Sequence, residues 1–397
     1  MKRDVLVIAH QLLPSDPRVG KSIRALNEAG ARVDVLCLRE PGQTFRDQMG
    51  TALLYRLPVQ RHRGAGLLTY LVEYASFFAL AFVAAAVLHV RRRYRVVVTH
   101  TLPDPLVFAG LVPRLLGARV VMDMHEFTPE LYETRYGLSR TSPLIRTMLL
   151  LERWSCRFAD TVVTVHDPGV DILGRTGIAR GRIVVVMNSA AERFETIAAE
   201  HAPGQPFTLV YHGTLVNQYD LETVVEAMAR MAAEGDTNVR LRVVGEGPGL
   251  PALRERVASA GLAERVVFEP PMPIGEIPGV LAQCDCGVVP MRDIPYAHVA
   301  LPMKALECMS AGLPVITNPT AIVRRYFDER AFCPVAFGDV AGMAQAIRRV
   351  RDDEAYRAGL VVNACVQMEP IRWPLMATRF VEACGFGAGR MQAERPA

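Results

Sequence analysis

Short apolar runs alternate with amphipathic helical patterns along this chain, and no other feature constrains its fold as strongly. Val5–Ala9 and Val33–Leu38 predict buried strands, and residues 20–29 between them predict a helix that ends at Gly30. Further strand-like runs follow at residues 53–57, 96–100, 120–124, 161–165 and 183–187. Because strands that alternate with helices form a parallel sheet covered on both faces, the first half predicts a doubly wound α/β domain.

The alternation stops and then starts again in the second half of the chain. Residues 192–206 contain Ala, Pro, Gly and Gln without a period, which is typical of an interdomain linker. Strand-like runs return at residues 208–212, 240–244, 266–269, 286–290 and 314–317, with helical patterns between them. A chain of 397 residues is also too long for one ordinary core. The sequence therefore predicts two domains.

The predicted organisation is an α/β fold made of two Rossmann-like domains. The first domain takes residues 1–191 and the second takes residues 207–370, with the linker at 192–206 between them. A C-terminal helix at 371–384 and a tail at 385–397 complete the chain. Ligands of such sheets bind beyond the carboxyl ends of the strands, so we expect the two parallel sheets to face a cleft between the domains.

Charge and cysteine usage exclude several classes of protein. The net charge of +4 is small and the arginines are scattered, so the chain lacks the basic stripe that nucleic-acid binding requires. None of the eight cysteines forms a CxxC pair, and Cys284 and Cys286 have no partner pair with zinc-like spacing, so we expect no metal. Only four or five apolar residues follow the basic N-terminus, too few for a signal peptide. We expect a cytoplasmic protein.

Residues 67–90 form an almost continuous apolar segment that does not fit the rest of the first domain. Its most apolar part, residues 75–88, is shorter than the roughly twenty residues of a membrane-spanning helix. One interpretation is a buried helix of the first domain. The other is a helix that lies in the membrane surface, because arginines flank both ends and favour anionic lipid. These arginines are Arg61, Arg63, Arg91, Arg92, Arg93 and Arg95. The second interpretation places the protein on the inner face of the cytoplasmic membrane.

The segment LPMKALECMSAGLPVI at residues 301–316 predicts a binding site. It reads as a loop, a short helix, a glycine stop and a buried strand, with Lys304 and Glu307 on one helix face. A helix N-terminus that follows a loop offers free N–H groups and a positive dipole end, which suit a phosphate. Lys304 adds positive charge, and Glu307 can accept hydrogen bonds from sugar or ribose hydroxyls. The alternative is an ion pair on the protein surface.

Two glycine loops strengthen this interpretation. Gly213 and Thr214 follow the first strand of the second domain, and Gly245 and Gly247 follow the next strand. Glycines in these loops allow a backbone to approach a ligand closely. Three such features at the carboxyl ends of strands in one domain favour a single ligand site.

Taken in order, these segments resemble a known family. HGTL, VVGEGP, RVVFEPPMP and LPMKALECMSAGLPVI are similar to the retaining GT-B glycosyltransferases of the family 4 group (glycosyl transferases group 1), in its LPxK…E branch. The first domain resembles the same family in the segments PSDPRVGKSIRALNEAGARVDVLC, VVMDMHEFTPE and ADTVVTVHDPGVDIL. Over both domains together, the resemblance covers roughly residues 4–350. The resemblance implies transfer of a sugar from a nucleoside diphosphate sugar to an acceptor, with retention.

The resemblance also implies roles for individual residues. His125 follows a strand of the first domain and corresponds to the family's histidine beside the donor sugar, with Glu126 next to it on the acceptor side. Glu307 corresponds to the acidic residue that binds the donor ribose, and Lys304 would face the diphosphate. Arg18 would contact the phosphates from the first domain.

Two departures from the family pattern affect the site. Val299 stands where the family usually has a first glutamate, so we expect the backbone of Ala300, Leu301 and Pro302 to bind the sugar there. The usual Arg and Lys after the first glycine turn are missing, and Arg292 joins Lys304 as a candidate for that charge.

The predicted function is a metal-independent glycosyltransferase that needs no cofactor besides its nucleotide-sugar donor. The acceptor is expected to be a glycan or a lipid-linked precursor of cell-surface polysaccharide. Two other interpretations stay open at this point. One is another GT-B activity, such as nucleotide-sugar epimerisation or inverting transfer. The other is a non-catalytic partner that binds the donor, since the missing groups could mark lost activity.

Overall fold

We describe the protein from a computed structural model. It describes residues 4–14, 16–62, 66–190, 194 and 205–387, without the side chains of Leu67, Thr134 and Arg135. These residues fall into two compact units. The first unit extends to Asn188 and also takes the segment that begins at Pro374, and the second runs from Ser189 to Trp373. Most of the predicted linker, Arg63 of the basic flank and residues 388–397 of the predicted tail lie outside the described residues.

The first unit is built on a mainly parallel sheet. Its strands within the described residues are β1 (Val5–Ala9), β2 (Val33–Leu38), β3 (Arg46–Met49), β4 (Ala52–Leu57), β5 (Val96–His100), β6 (Arg119–Asp123), β7 (Thr161–Thr164) and β8 (Ile183–Val185). They lie in the order β3-β4-β2-β1-β5-β6-β7-β8, and only the β3–β4 pair is antiparallel among these strands. The inner strands are buried runs of Val, Leu and Ile, as a sheet covered on both faces requires.

Helices connect these strands, and local sequence signals set several of their ends. The described helices are α1 (Pro17–Glu28), α2 (Leu67–Arg92), α3 (Leu111–Leu115), α4 (Thr128–Tyr136), α5 (Pro143–Phe158) and α6 (Asp167–Gly174). Asp16 caps α1 by accepting a hydrogen bond from the Val19 amide at 2.8 Å, and Pro17 occupies its first turn. Gly30 follows α1 with a φ of +81°, which a residue with a side chain adopts less readily.

The segment between β5 and β6 is not one continuous α-helix. A 3₁₀ helix covers Asp104–Gly110, and α3 starts only at Leu111. Packing against the sheet gives the reason, because a Cβ atom at Gly110 would lie 3.2 Å from Cγ2 of Val120. The close approach of this segment to β6 is a tertiary constraint that helical periodicity does not reveal.

The second unit repeats the plan with a parallel sheet. Its described strands are β9 (Phe207–His212), β10 (Val239–Val244), β11 (Val266–Glu269), β12 (Cys286–Val289), β13 (Val315–Thr317) and β14 (Cys333–Pro334), in the order β11-β10-β9-β12-β13-β14. Its described helices are α7 (Leu221–Ala233), α8 (Leu250–Ser259), α9 (Ile277–Leu281), α10 (Met303–Ser310), α11 (Ala321–Tyr326), α12 (Val340–Asp352) and α13 (Glu354–Met368). The predicted α/β fold with two Rossmann-like domains is thereby confirmed. That the sheets face a cleft stays a prediction.

The C-terminal helix, α14 (Trp373–Ala383), belongs from Pro374 onward to the first unit. Its Met376 lies 3.2 Å from the Met187 amide. The segment after it is also packed, since the Arg95 guanidinium lies 5.4 Å from the ring centroid of Phe386. The predicted tail at residues 385–397 therefore starts too early, because Phe386 still packs on the first unit.

Helix α2 contains the apolar segment predicted at residues 67–90. Among the described residues, Leu68–Arg92 is the stretch whose length and mean hydropathy of 2.1 would let it cross a membrane. In the fold, one side of α2 is buried on the core of the first unit and the other side is exposed. The two interpretations of this segment were therefore not exclusive, because protein covers only one face.

Candidate active site

Lys304 and Glu307 lie beside the carboxyl end of β9, at the carboxyl edge of the second sheet. Both residues lie on α10, three positions apart and on one helix face. The Nζ atom of Lys304 lies 4.1 Å from the ring centroid of Tyr219 and 5.4 Å from that of Tyr211. Oε2 of Glu307 lies 3.6 Å from Nδ1 of His212, the last residue of β9. This is the edge at which parallel sheets bind ligands.

His212 lies almost entirely buried beside these two charged residues. Burial, with a smaller contribution from the Lys304 ammonium group, lowers the pKa of His212 to about 4. The imidazole is therefore uncharged near pH 7, and Lys304 supplies the positive charge beside Glu307.

The two glycine loops of this edge pack directly on each other. The amide of Gly213 donates to the carbonyl of Val244 at 2.8 Å, and the amide of Leu215 donates to the carbonyl of Glu246 at 2.9 Å. Gly245 has a φ of +140°, and a Cβ atom there would collide with the Gly213 carbonyl oxygen. The collision at Gly247 would be with the Leu215 carbonyl oxygen. Contact between the two loops therefore accounts for the need for glycine at both positions. That these glycines also contact a ligand stays a prediction.

Position 213 requires a glycine because the Lys304 side chain packs directly against it. It has a φ of +109°, and a Cβ atom at this position would lie 2.7 Å from Cε of Lys304. The aliphatic part of the lysine therefore rests on the glycine turn. Thr214, the next residue, is exposed, and its carbonyl accepts a hydrogen bond from the Tyr211 hydroxyl at 2.8 Å.

The start of α10 leaves N–H groups without a side-chain cap. Its N-cap residue is Pro302, which makes no capping hydrogen bond through its side chain. An uncapped N-terminus beside a lysine is suited to an anion, because amide N–H groups and the helix dipole point the same way. The amide of Ala300 is already used, since it donates to the carbonyl of Tyr296 at 3.0 Å. The Ala300 amide, one of the predicted donors to the sugar, is therefore already used in a hydrogen bond inside its own loop.

Arg292 also has protein partners. Its guanidinium lies 3.2 Å from Oδ1 of Asp220 and 2.8 Å from Oε2 of Glu222. Two carboxylates neutralise its charge, so a contribution from Arg292 to phosphate binding would require that pairing to loosen. Lys304 has no such carboxylate pair in the described ion pairs, and is the stronger candidate.

In the first unit, Asp123 is the centre of a buried polar cluster at the end of β6. The Arg18 guanidinium donates to both carboxylate oxygens, with Nη2–Oδ1 at 2.8 Å and Nε–Oδ2 at 3.3 Å. Nδ1 of His100 and Nε2 of His125 each lie 3.2 Å from Oδ2. Burial alone would raise the pKa of Asp123, but Arg18 and the imidazoles outweigh it and hold that pKa well below its ordinary value.

The expected phosphate contact of Arg18 does not match its surroundings. Its side chain is buried, and besides pairing with Asp123 it donates from Nη1 to the Val186 carbonyl at 3.0 Å. A buried carboxylate needs a paired cation, because an unpaired charge in the interior is strongly unfavourable. Arg18 serves that purpose for Asp123, and no sequence signal indicated the pairing.

His125 lies at the exposed rim of this cluster. Its side chain is 15% exposed, whereas those of His100 and Asp123 are fully buried. Nε2 points inward, at 2.9 Å from Nδ1 of His100, while Nδ1 of His125 has no hydrogen-bond partner among the described residues. Burial lowers the pKa of His125, although Asp123 opposes the shift. The neutral ring can therefore meet a ligand through Nδ1. Glu126 follows it and is half-buried.

His100, Asp123 and His125 also have the composition of a metal site. One ligand atom from each lies within 4.8 Å of the others. Both oxygens of Asp123, however, already accept hydrogen bonds from Arg18, whose positive charge would oppose a divalent cation. We interpret the group as a hydrogen-bonded network, and metal independence stays a prediction. Cys284 and Cys286 are buried, and burial raises the pKa of Cys284 to about 12, which disfavours the thiolate that binds metal.

Sequence reasoning missed several residues of these two clusters. Asp123, His100 and His212 each end a buried strand, and Tyr219 follows the glycine turn of Gly213. The sequence did contain a signal for the three strand-end residues, because each is a polar residue at the end of an apolar strand. Since the carboxyl ends of parallel strands meet at one edge of the sheet, such residues are expected to lie near a ligand site.

Comparisons with known families agree with both units. A family model described as a glycosyl transferase 4-like domain matches residues 16–189, and one described as glycosyl transferases group 1 matches residues 206–353. Together the two models cover most of the chain. The chain belongs to the group 1 glycosyltransferases. Its two α/β units are the domains of the GT-B fold.

Individual relatives of this glycosyltransferase are distant but extensive. It is 28% identical to 2-deoxystreptamine glucosyltransferase of Streptomyces kanamyceticus over 356 residues, which are 84% of this chain and 88% of that protein. Among solved structures, sucrose-phosphate synthase from Thermosynechococcus elongatus has a TM-score of 0.74 at 19% identity, covering 96% of this chain and 98% of the other. Anabaena HepE in complex with UDP-glucose has a TM-score of 0.70 at 15% identity, covering 96% and 99%. Transfer of a sugar from a nucleotide sugar is thereby supported as the activity.

Proposed function

We propose that the enzyme binds a nucleoside diphosphate sugar on its second unit and transfers the hexosyl or related sugar with retention of configuration. The observation that carries the donor site is the uncapped N-terminus of α10 at the end of β9, with Lys304 held between the Gly213 turn and Tyr219. Several groups for binding an anion meet there.

The proposed chemistry follows from the leaving group. As the sugar becomes oxocarbenium-like, the departing nucleoside diphosphate gains negative charge. Lys304 and the N–H groups at the start of α10 stabilise that charge, and such preorganised groups are the largest single contribution in many enzymes. Glu307, next to Lys304, accepts hydrogen bonds from the donor ribose. Neither role requires a metal ion.

On the first unit, we propose His125 as the residue that contacts the transferred sugar, with Glu126 on the acceptor side. The support is its position at the carboxyl end of β6, its partial exposure and an Nδ1 atom that faces away from Asp123. A neutral ring whose Nε2–H donates to Asp123 presents Nδ1 as an acceptor for a sugar hydroxyl.

We propose a glycan or lipid-linked precursor of cell-surface polysaccharide as the acceptor, and the cytoplasmic face of a membrane as the place of work. The support is the exposed apolar side of α2, which a purely soluble enzyme would not need.

Donor screening by thermal shift tests the proposal first. HepE has been seen with UDP-glucose, so UDP-sugars come first in the screen. A ligand at a hundred times its Kd stabilises the folded state by about 2.7 kcal/mol. Glu307→Gln and Lys304→Met should each weaken that shift and lower kcat/KM about tenfold to a hundredfold. Glu264→Gln, an exposed control on the same unit, should behave like wild type.

The outcome also separates the other activities. Transfer of labelled sugar to an acceptor supports the proposal, while a product epimerised without acceptor indicates an epimerase. Nuclear magnetic resonance of the new anomeric centre distinguishes retention from inversion. If Glu307→Gln and Lys304→Met both keep wild-type kinetics, the donor site is misplaced.

A further inference from the structure

Helix α2 has two faces of different character. Every fourth residue along one side is buried, and this side carries Glu73, Phe77, Ala81, Ala85 and His89. Phe77, Ala81 and Ala85 belong to the same core cluster as strand residues of the first sheet. The repeat of about 3.6 residues per turn explains why this side packs and the opposite side does not.

The opposite side of α2 is exposed and apolar. Its large residues are Leu68, Leu71, Val72, Leu80, Val83, Val87 and Val90, and the smaller Ala75, Ser76 and Ala79 lie between them. Val83, in the middle of the helix, is 60% exposed. Across 26 residues the helix is about 39 Å long, so this is an extended apolar strip rather than an isolated side chain.

Helix α3 packs against α2 and extends the strip. It and the residue after it expose Leu111, Leu115 and Leu116, and Leu115 is 77% exposed. We call the exposed residues of α2 together with these three leucines the α2–α3 surface. A contiguous apolar area of this kind on a soluble protein marks a binding surface.

Exposed arginines lie near both ends of α2. Arg91, Arg93 and Arg95 are exposed at its C-terminal end, and Arg61 is exposed before its start. The acidic residue within α2, Glu73, is buried and lies 3.0 Å from Nε2 of His10 and from Nδ1 of His62. The exposed face of α2 therefore combines apolar side chains with arginines and carries no carboxylate.

We infer that the α2–α3 surface binds an anionic membrane, with α2 lying in the plane of the headgroups. Apolar side chains enter the boundary of the acyl chains while the arginines meet anionic lipid, as interfacial helices do. The membrane binding stands on the surface alone, and only its use in presenting a lipid-linked acceptor rests on the proposed function.

Two other occupants fit the surface less well. A helix that spans a bilayer is surrounded by lipid, but Phe77, Ala81 and Ala85 are packed on the sheet. A second copy of the chain in a symmetric dimer would place the same arginine-rimmed face against itself, and like charges across an interface are unfavourable. An anionic bilayer satisfies both the apolar strip and its positive rim.

Flotation of the full chain with phosphatidylcholine vesicles, alone and with rising phosphatidylglycerol, tests the inference. Binding should rise with the anionic lipid and fall in high salt. Val83→Gln/Val87→Gln should abolish most of it at every composition. Val362→Gln/Val366→Gln is the matched control, because it changes two valines that are at least as exposed and also four residues apart, on α13 of the second unit.

A second pair of variants isolates the charge contribution. Arg91→Gln/Arg93→Gln should lower the partition coefficient about thirtyfold on anionic vesicles and leave the small binding to neutral vesicles unchanged. Arg324→Gln/Arg325→Gln removes the same net charge from exposed positions of α11 and should float like wild type.

Three results would overturn the inference: wild type that stays in solution under all conditions, equal flotation by the Val83/Val87 variant, or a wild-type dimer that this variant makes monomeric. Donor-induced thermal shifts of all variants should match wild type, which confirms folding. If the chain floats as expected but transfers no sugar to any acceptor, only the proposed function fails.

Discussion

Asp123 organises the polar residues at the edge of the first sheet. Arg18 neutralises it, His100 lies beside it, and His125 is oriented by it with Nδ1 outward. Arg18 and Asp123 are 105 residues apart in the chain, so their pairing exists only in the folded protein. Lys304 and Glu307 are three residues apart on one helix, which is why the sequence alone placed them together.

His125→Ala should lower kcat more than it weakens binding of a nucleoside diphosphate. The reason is that the diphosphate is proposed to bind the second unit, whereas His125 belongs to the first. A positioned group that exchanges protons or hydrogen bonds in the transition state contributes on the order of 10²-fold or more. Steady-state kinetics and calorimetric titration of UDP measure the two effects. Arg146→Ala, which changes an exposed residue of the same unit, is the control. An equal loss of kcat and UDP affinity would mean that His125 is structural.

The 3₁₀ helix Asp104–Gly110 contacts the start of α4 through the buried carboxyl group of Asp104. Asp104 accepts a hydrogen bond from the Thr128 hydroxyl at 3.1 Å. Burial, followed by the nearby Glu152 carboxylate, raises the pKa of Asp104 to about 7. In the unfolded chain an aspartate has a pKa near 3.9. Between about pH 4 and pH 7 the folded state therefore binds more protons, so the stability contributed by this group is lost as pH rises.

Asp104→Asn should remove that part of the pH dependence. As the pH rises from 4 to 7, the free energy of unfolding of wild type should fall relative to that of the variant. The slope of this fall should be at most about 1.4 kcal/mol per pH unit. Urea unfolding at several pH values measures it. Asp171→Asn changes an exposed aspartate and should run parallel to wild type. Parallel curves for Asp104→Asn as well would show that Asp104 is ionised in the folded protein at neutral pH.

Two of the elements that sequence reasoning missed, β3 and α4, lack a strong apolar period. Strand β3 is polar and largely exposed, and it forms only because β4 offers a free edge. Helix α4 has hardly any apolar face and starts directly after the loop that carries His125. Their neighbours in space, rather than their own patterns, decide these structures.

At the scale of the whole molecule, the first unit is assembled from two separate parts of the chain. Phe380 and Met376 of α14 are fully buried, and Met376 contacts the Met187 amide. The chain thus returns to the first unit after completing the second.

Phe380→Ala should lower the free energy of unfolding by about 3–5 kcal/mol, the usual cost of a cavity left by a buried aromatic ring. Leu375→Ala, on the exposed side of the same helix, should change it by less than about 1 kcal/mol. Because Phe380 belongs to the first unit, the Kd for a nucleoside diphosphate should stay within about twofold where the variant is folded. Chemical denaturation and UDP titration give the two numbers, and a large loss of UDP affinity in folded Phe380→Ala would contradict the assignment.

The sequence by itself determined the two mainly parallel sheets, the shared helix face of Lys304 and Glu307, and the position of His125 just past a strand. These depend on periodicity and short spacing, which adjacent residues encode locally. The family was indicated by the resemblance of several motifs in their order along the chain. Tertiary structure alone decided that Arg18 pairs with Asp123, that Gly245 is needed for contact between two loops, and that α2 leaves one apolar face uncovered. Such features depend on which distant segments meet, and the free energy of a buried charge or an exposed strip is set only there.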